Sequence, residues 1–280
     1  MRMRGCFAPM PRAFTGAMVA CATLGLAGAT SAAGPDPWAD RVVSFTAGKN
    51  PAPGYADPTT ALGEPSRFTG VGSFPGAVTP FNPPFDTDQL VSLGAGGELI
   101  VAFDEPVRND PLNPFGIDLL VFGSTGFVDT SFPNGLVGGL FGNEGGSISV
   151  SPDGTSWFDV AGVVGDGIFP TMGYQDLTGP YDPMAGSLPT DFTVPVDPTF
   201  DPMGSTFAEI VAAYSGSGGG AGVDIGSLGL SEISFIRVRH AAGLPGSPEI
   251  DAFADVRAVP GPGTAVIAML ALAGWRRQTR

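Results

Sequence analysis

Short apolar runs separated by glycine and proline are the feature that most limits what this chain can fold into. The sequence has 43 glycines and 28 prolines among 280 residues, a share that reaches the range of disordered chains. The apolar residues are not depleted, however, and they occur in bursts of strand length. In Ser147–Ser151, for example, Ile148 and Val150 alternate with serines, which is typical of a half-buried strand. Glycine is therefore predicted to mark turns between strands.

The same pattern predicts strands along most of the chain. They are Arg41–Thr46, Gln89–Leu93, Gly97–Phe103, Ile117–Phe122, Ser147–Ser151, Trp157–Val160, Ile233–His240 and Ile250–Arg257. The turn Pro152-Asp153-Gly154 joins two of these strands into a hairpin. Short strands with almost no helix predict an all-β, antiparallel β-sandwich.

One helix interrupts this pattern. Thr206 and Glu209 form a capping-box pair, and the apolar residues after Thr206 recur at helical spacing up to Tyr214. We therefore predict a short helix over residues 206–214. It falls within residues 165–222, a stretch rich in Asp-Pro and Gly-Pro pairs that we interpret as a long surface loop insertion.

Residues 1–33 have the three zones of a secretory signal peptide. Arginines precede an apolar run, Phe14–Ala29, and Ser31-Ala32-Ala33 supplies the small side chains that signal peptidase recognises. Cleavage after Ala33 removes both cysteines, Cys6 and Cys21. The mature chain then has no disulfide, no thiolate metal site and no cysteine nucleophile.

Charge and histidine content exclude further classes of function for the predicted domain, residues 34–258. It contains all 27 acidic residues and seven basic ones, a net charge of −20. Nucleic-acid binding is excluded because it requires clustered lysine and arginine. The only histidine is His240, and no G-x-S-x-G motif accompanies it. No catalytic constellation emerges, so a non-enzymatic role is expected.

The C-terminal tail, residues 259–280, combines a break, an apolar run and a basic end. The run Ala265–Trp275 has eleven residues, fewer than the ~20 that span a bilayer, and a proline break before it prevents a longer helix. The parts of this motif are Val259, Pro260, Pro262, Gly263, Thr264, Arg276 and Arg277.

This layout resembles the PEP-CTERM sorting signal, with Gly261 where the motif's name places glutamate. The resemblance covers the tail only. It implies a C-terminal hydrophobic helix, transient anchoring in the inner membrane, and recognition by an exosortase-type membrane protease. The protein would then reach the cell surface or the extracellular space.

A second resemblance covers scattered blocks between residues 40 and 257. They are ALGEPSR, VSLGAGGELIVAFDEPV, GIDLLVF, SVSPDGTSWFDV, FIRVRH and EIDAFADV. These blocks are similar to secreted bacterial domains of the discoidin-like, galactose-binding type. The resemblance implies a fold, a jelly-roll-like sandwich, and does not imply one particular activity.

Two sets of candidate site residues follow. Jelly-roll binding modules commonly carry a structural Ca²⁺, and hard oxygen ligands are available at Asp86, Asp88, Asp118, Glu249 and Asp251. The alternative is that carboxylates on a half-buried strand simply face solvent. Candidate ligand-binding residues are Trp157, Tyr174, Tyr181, Arg237 and Arg239. Their alternative roles are packing for the aromatic rings and pairing with acids for the arginines.

The expected function is that of an exported cell-surface or extracellular-matrix protein that binds polysaccharide without turning it over. Two alternatives remain. One is a secreted glycan-active hydrolase that uses a carboxylate pair. The other is a purely structural surface component.

Overall fold

The glycine-punctuated segments form antiparallel strands. The computed structural model describes residues 36–69 and 75–257, so the predictions for the signal peptide and for the sorting tail lie outside the described residues. In chain order the strands are β1 Arg41–Thr46, β2 Phe68–Thr69, β3 Gly76–Ala77, β4 Val91–Ser92, β5 Glu98–Arg108, β6 Leu119–Gly123, β7 Gly126–Asp129, β8 Val137–Phe141, β9 Gly145–Ser151, β10 Phe158–Asp166, β11 Ala221–Val223, β12 Glu232–Arg239 and β13 Glu249–Asp255.

Two sheets dominate the fold. The five-stranded sheet has the order β1-β5-β12-β9-β10, and the four-stranded sheet has the order β11-β6-β13-β4. Two small hairpins, β2–β3 and β7–β8, complete the set. Buried residues from both larger sheets, among them Val101, Ile236, Val121 and Phe253, form one core cluster. The predicted all-β antiparallel architecture is confirmed, and it is consistent with a sandwich.

Alternation from Phe235 to Arg239 in β12 creates the two sides of the five-stranded sheet. Ile236 and Val238 are fully buried against the other sheet, whereas Arg237 and Arg239 point the opposite way. Each arginine pairs with a serine of β9, Arg237 with Ser149 and Arg239 with Ser147. We call the side that carries these residues the outer face.

β5 is longer than its sequence pattern predicts. The apolar alternation ends at Phe103, but the strand continues to Arg108 through Pro106. The pairing register with β12 shifts between Ile233 and Phe235, opposite this stretch. A bulge of this kind tolerates a proline, which cannot donate to the ladder.

The predicted helix is confirmed as α1, Phe207–Tyr214, with Thr206 as its N-cap. The Thr206 hydroxyl accepts from the Glu209 backbone N–H, and the Glu209 carboxylate accepts from the Thr206 backbone N–H. Short 3-10 turns at Pro58–Ala61, Pro114–Gly116 and Gly226–Leu228 are the remaining helical elements of the described residues.

The interpretation of residues 165–222 as a surface loop is wrong in one respect, because much of the stretch is buried. Phe169, Met172 and Ile210 belong to a second core cluster. Phe192 packs edge-on against Phe122 at 5.4 Å and joins a third cluster with residues of the four-stranded sheet. The insertion therefore supplies an apolar cover for that sheet, which a count of its prolines and glycines does not show.

The two ends of the described domain meet. The Asp255 backbone N–H donates to the Pro37 carbonyl at 2.7 Å, and Trp38 forms a bridge with Ala254. At its other end β13 begins next to Pro248, whose carbonyl accepts from Leu93. Within residues 36–69 and 75–257, no helix is long and apolar enough to cross a membrane.

Candidate functional site

The outer face of the five-stranded sheet brings Trp157 and Arg237 together. The guanidinium carbon of Arg237 lies 4.3 Å from the centre of the Trp157 ring. Its Nη2 donates to the Ser149 hydroxyl at 3.2 Å and lies 4.0 Å from an Asp159 oxygen. The Ser149 hydroxyl in turn donates to Asp159 at 2.7 Å. The guanidinium thus covers one face of the indole ring, and a hydroxyl and a carboxylate lie beside the guanidinium.

The hairpin turn explains how Trp157 reaches this position. Asp153 accepts from the backbone N–H groups of Thr155 and Ser156, and these hydrogen bonds hold its pKa well below the usual value. Gly154 adopts φ +73°, a conformation that side chains disfavour. The turn is therefore tight, and Trp157 returns over the sheet to meet Arg237. Such a stack of guanidinium on indole contributes about 0.5–2 kcal/mol.

The other arginines of this sheet are each paired with a carboxylate. Arg41 pairs with Asp104, Arg108 with Glu232 at 3.7 Å, and Arg239 with Glu98 at 3.4 Å. The expected pairing of arginine with acid is thus observed, and the outer face presents no cluster of unpaired cations among the described residues. An aromatic surface bordered by balanced polar groups fits a hydroxyl-rich neutral ligand better than an anion.

A depression of about 380 Å³ continues the outer face at the end of β12. Thr46, Glu98, Ser147, Arg239 and His240 are among the residues that line it. The imidazole of His240 is 2% exposed, and neither ring nitrogen has a hydrogen-bond partner in the described part of the chain. An unpaired buried donor or acceptor lowers the free energy of unfolding by about 1–3 kcal/mol. His240 therefore does not contribute the stability that a paired or apolar side chain would.

Tyr174 and Tyr181 lie elsewhere. Both pack against the second core cluster, which the insertion forms. The Tyr181 hydroxyl donates to Asp129 at 3.3 Å, and its ring lies 5.1 Å from that of Phe132. Of the five predicted ligand-binding residues, the outer face therefore gathers Trp157, Arg237 and Arg239 and leaves out the two tyrosines.

The five predicted calcium ligands are not brought together. Asp118 accepts from the Asn113 side chain at 3.0 Å and from the Ile225 backbone at 3.1 Å. It precedes Leu119, which pairs with Asp255, whereas Asp251 lies toward the opposite end of β13. Asp118 and Asp251 are therefore at different ends of neighbouring strands.

The remaining candidate ligands are also dispersed. The Glu249 carboxylate accepts hydrogen bonds from the Ser124 and Ser247 hydroxyls. Asp88 and Asp251 line a separate surface cleft. Asp86 lies near Tyr55. Within residues 36–69 and 75–257, no three His, Cys, Asp or Glu side chains are arranged to hold a metal ion. The structure thus corrects the calcium prediction based on this set.

Asp251 also differs from the alternative expectation that it faces solvent. It is 2% exposed, and residues of the loop before β2, together with residues 87–89, surround it. Both of its oxygens accept from Ser66, from the backbone N–H at 2.8 Å and from the hydroxyl at 2.9 Å. It lies in a polar cleft of about 500 Å³ that Asp57, Glu64 and Asp88 also line.

Buried carboxyls make the stability of this fold depend on pH. Burial raises the pKa of Asp166, Asp251 and Asp255 to about 7 in each case, whereas an unfolded aspartate titrates near about 3.9. Between these values the folded state retains protons that the unfolded state releases. The free energy of unfolding therefore falls as the pH rises from about 4 to about 7. Thermal unfolding is expected to show Tm decreasing across this window.

Asp251→Asn tests the assignment of this pH dependence. The amide is neutral at every pH, so the variant should exceed the parent by at least about 1 kcal/mol at pH 8, or roughly 2–4 °C in Tm, and match it only below about pH 4. Asp57→Asn in the same cleft is the control. Hydrogen bonds from Thr59 lower the Asp57 pKa, so its contribution disappears only in acid. Equal slopes for parent and Asp251→Asn would contradict the assignment.

Comparisons with known proteins add no assignment. No protein-family model matches this chain, and no curated protein is significantly similar to it in sequence. The outer face is therefore interpreted from its own geometry.

Sequence reasoning missed two members of this site. The sequence predicts Ser149 and Asp159 only as members of two strands, whereas the register of β9, β10 and β12 brings them to Arg237. Pairing order could not be derived from strand patterns alone. No binding role is predicted for His240, and its burial at the end of β12 could not be derived from the sequence.

Proposed function

We propose that this chain is an exported cell-surface or extracellular-matrix protein that binds a neutral polysaccharide on the outer face and does not turn it over. The observation that carries the proposal is the Trp157–Arg237 stack with Ser149 and Asp159 at its border. Aromatic rings provide an apolar surface for the faces of sugar rings, and the bordering groups hydrogen-bond hydroxyls.

Export is proposed from the two ends of the sequence. Residues 1–33 would be removed by signal peptidase, and residues 259–280 would hold the protein briefly in the inner membrane until an exosortase-type protease acts. The finer fold that we propose is the jelly-roll-like arrangement of galactose-binding-type domains. The antiparallel sheets and their shared core support it.

The two ends of the described domain lie together, remote from the His240 depression. They are joined by a hydrogen bond from the Asp255 backbone N–H to the Pro37 carbonyl. The seven residues of β13 separate Asp255 from the connection that follows His240. At the usual rise per residue of a strand, this separation is roughly 20 Å. A tail that continues from Arg257 would therefore hold the domain at the end remote from the His240 depression.

A glycan array with the full chain tests this function. We expect binding to neutral polysaccharides and little binding to uronic-acid polymers, since the domain carries a large negative charge. Binding should be the same with Ca²⁺ and with chelator, because no three acidic side chains within residues 36–69 and 75–257 are arranged to hold a metal ion. Absence of binding to every neutral glycan would contradict the proposal and favour a structural surface component.

One observation favours the hydrolase as a second candidate. Asp251 is a buried carboxyl with a pKa of about 7 that lies in a polar cleft with Asp57, Glu64 and Asp88. A carboxyl whose pKa is raised by burial, close to other carboxyl groups, is the arrangement from which glycosidases build an acid and a base. Release of reducing sugar from any bound glycan, lost in Asp251→Asn, would establish this alternative in place of the binding module.

A further inference from the structure

We infer that the apolar run of the tail, residues 265–275, docks in an apolar groove of its own domain when the protein is in aqueous solution. The groove consists of two adjoining depressions of about 260 Å³ and 320 Å³, which share Ile168. Docking there covers the apolar run before a membrane accepts it. The inference goes beyond polysaccharide binding and does not depend on it.

Apolar side chains line both depressions. Val163 and Val196 contribute to the first depression, and Phe200 and Met203 contribute to the second. Ile168 is 50% exposed and Met203 is 57% exposed, although both side chains are large and apolar. No lysine or arginine of the described residues lines either depression. A concave apolar surface left open in this way is typical of a binding site for an apolar partner.

The described domain ends beside the first depression. The backbone N–H of Arg257 donates to the Thr193 carbonyl at 3.2 Å, and the N–H of the residue before it donates to the Asp118 carbonyl at 2.9 Å. Ile117 and Pro195 line the depression. Each is within two residues of one of these carbonyls, a span of about 7 Å at most. The tail therefore starts next to the groove.

The sequence of the tail suits this position. Residues 258–264, which contain two prolines, separate Arg257 from the apolar run, and seven residues span up to roughly 23 Å. This length is enough to bring the run back over both depressions. The run contains Ile267 and Leu270. An apolar cavity of about 150 Å³ holds benzene, so the first depression has room for one such side chain.

Charge complements the apolar contact. The tail carries Arg276 and Arg277 after its apolar run. Asp197 lies between two residues that line the first depression, and Asp201 lines the second. Hydrogen bonds from the hydroxyl and the backbone N–H of Thr199 lower the pKa of Asp197 and keep it ionised. A basic apolar segment therefore fits this groove better than a neutral or acidic one.

Thiol alkylation of the full chain tests docking. Ile168→Cys is introduced together with Cys6→Ser and Cys21→Ser, so that the protein has one thiol, and its reaction with a small maleimide is followed in dilute, detergent-free buffer. Burial of one isoleucine or leucine favours a docked state by about tenfold or more. The reaction should therefore be about tenfold slower than in the same protein carrying Ile267→Asp and Leu270→Asp. Equal rates would overturn the inference.

Val43→Cys is the matched control for this measurement. Val43 is 48% exposed, close to the exposure of Ile168. It lies in β1, at the opposite edge of the five-stranded sheet from β10, which lines the first depression. The thiol at this position should react at the same rate with and without the two tail substitutions. An equal change at both positions would reflect a general effect of the tail and would contradict docking in the groove.

Oxidative cross-linking identifies the occupant. Ile168→Cys is combined with a second cysteine at Ala265, Ala268 or Ala271, one at a time, and at least one pair should form a disulfide within one molecule. Such a bond requires the two Cα atoms to come within about 7 Å. A disulfide with a restored Cys21 instead would assign the groove to the N-terminal apolar run. A disulfide-linked dimer would assign it to a second copy of the chain, and either result would overturn the inference.

Discussion

Trp157→Ala is expected to weaken binding of the neutral glycan about 5- to 30-fold, which corresponds to about 1–2 kcal/mol of lost aromatic contact. The change removes the stacking surface and also releases Arg237, whose side chain is 14% exposed and lies against the indole. Isothermal titration of the full chain with the glycan identified on the array measures the effect. Trp157→Phe keeps a smaller ring and should lie between alanine and the parent.

Phe158→Ala is the matched control for this change. Phe158 is adjacent to Trp157 but pairs with the buried Val150, so its side chain lies on the opposite side of the sheet. The Phe158→Ala variant should bind the neutral glycan with the affinity of the parent. Equal losses in both variants would show that the hairpin as a whole, and not the outer face, determines binding.

Phe253→Ala is expected to lower the free energy of unfolding by about 3–5 kcal/mol, the usual cost of deleting a fully buried phenyl group. Phe253 is fully buried in β13, where it pairs with Val121 and joins the core cluster that both sheets share. Since a domain of this size is stable by only about 5–15 kcal/mol, the loss is severe. Urea unfolding followed by far-ultraviolet circular dichroism measures it.

An exposed phenylalanine provides the comparison. Phe115 is 55% exposed and lies outside the three core clusters, so Phe115→Ala should change the free energy of unfolding by no more than about 0.5 kcal/mol. A Phe253 variant that unfolds at the same urea concentration as the Phe115 variant would contradict the two-sheet core.

Local sequence patterns predicted a strand or helix well where the spacing of its apolar residues agrees with the turn or capping residues beside it. The alternation in β9, the Asp-Gly turn after it and the capping box of α1 all depend on neighbours within a few residues. Glycine-rich strands were missed for the same reason. β8 contains Gly138 and Gly139 and has few apolar side chains to reveal a period.

Properties that depend on distant parts of the chain could not be predicted. Asp251 looks solvent-facing from the alternation of β13, yet Ser66, far away in sequence, buries and hydrogen-bonds it. The calcium set failed on register, since pairing of β6 with β13 determines which carboxylates meet. Arg237 and Arg239 share a face because they are two residues apart on one strand, a relation that spacing alone determines, whereas their role in binding stays a prediction.

Hydroxyl-radical footprinting of the full chain, with and without the neutral glycan, tests the central claim most directly. We predict that glycan protects Trp157 from oxidation, whereas Trp38, which packs near Phe192 at the other sheet, keeps its rate. Unchanged oxidation of Trp157, with protection instead around the cleft of Asp57 and Asp88, would contradict the claim that the outer face is where this protein binds polysaccharide.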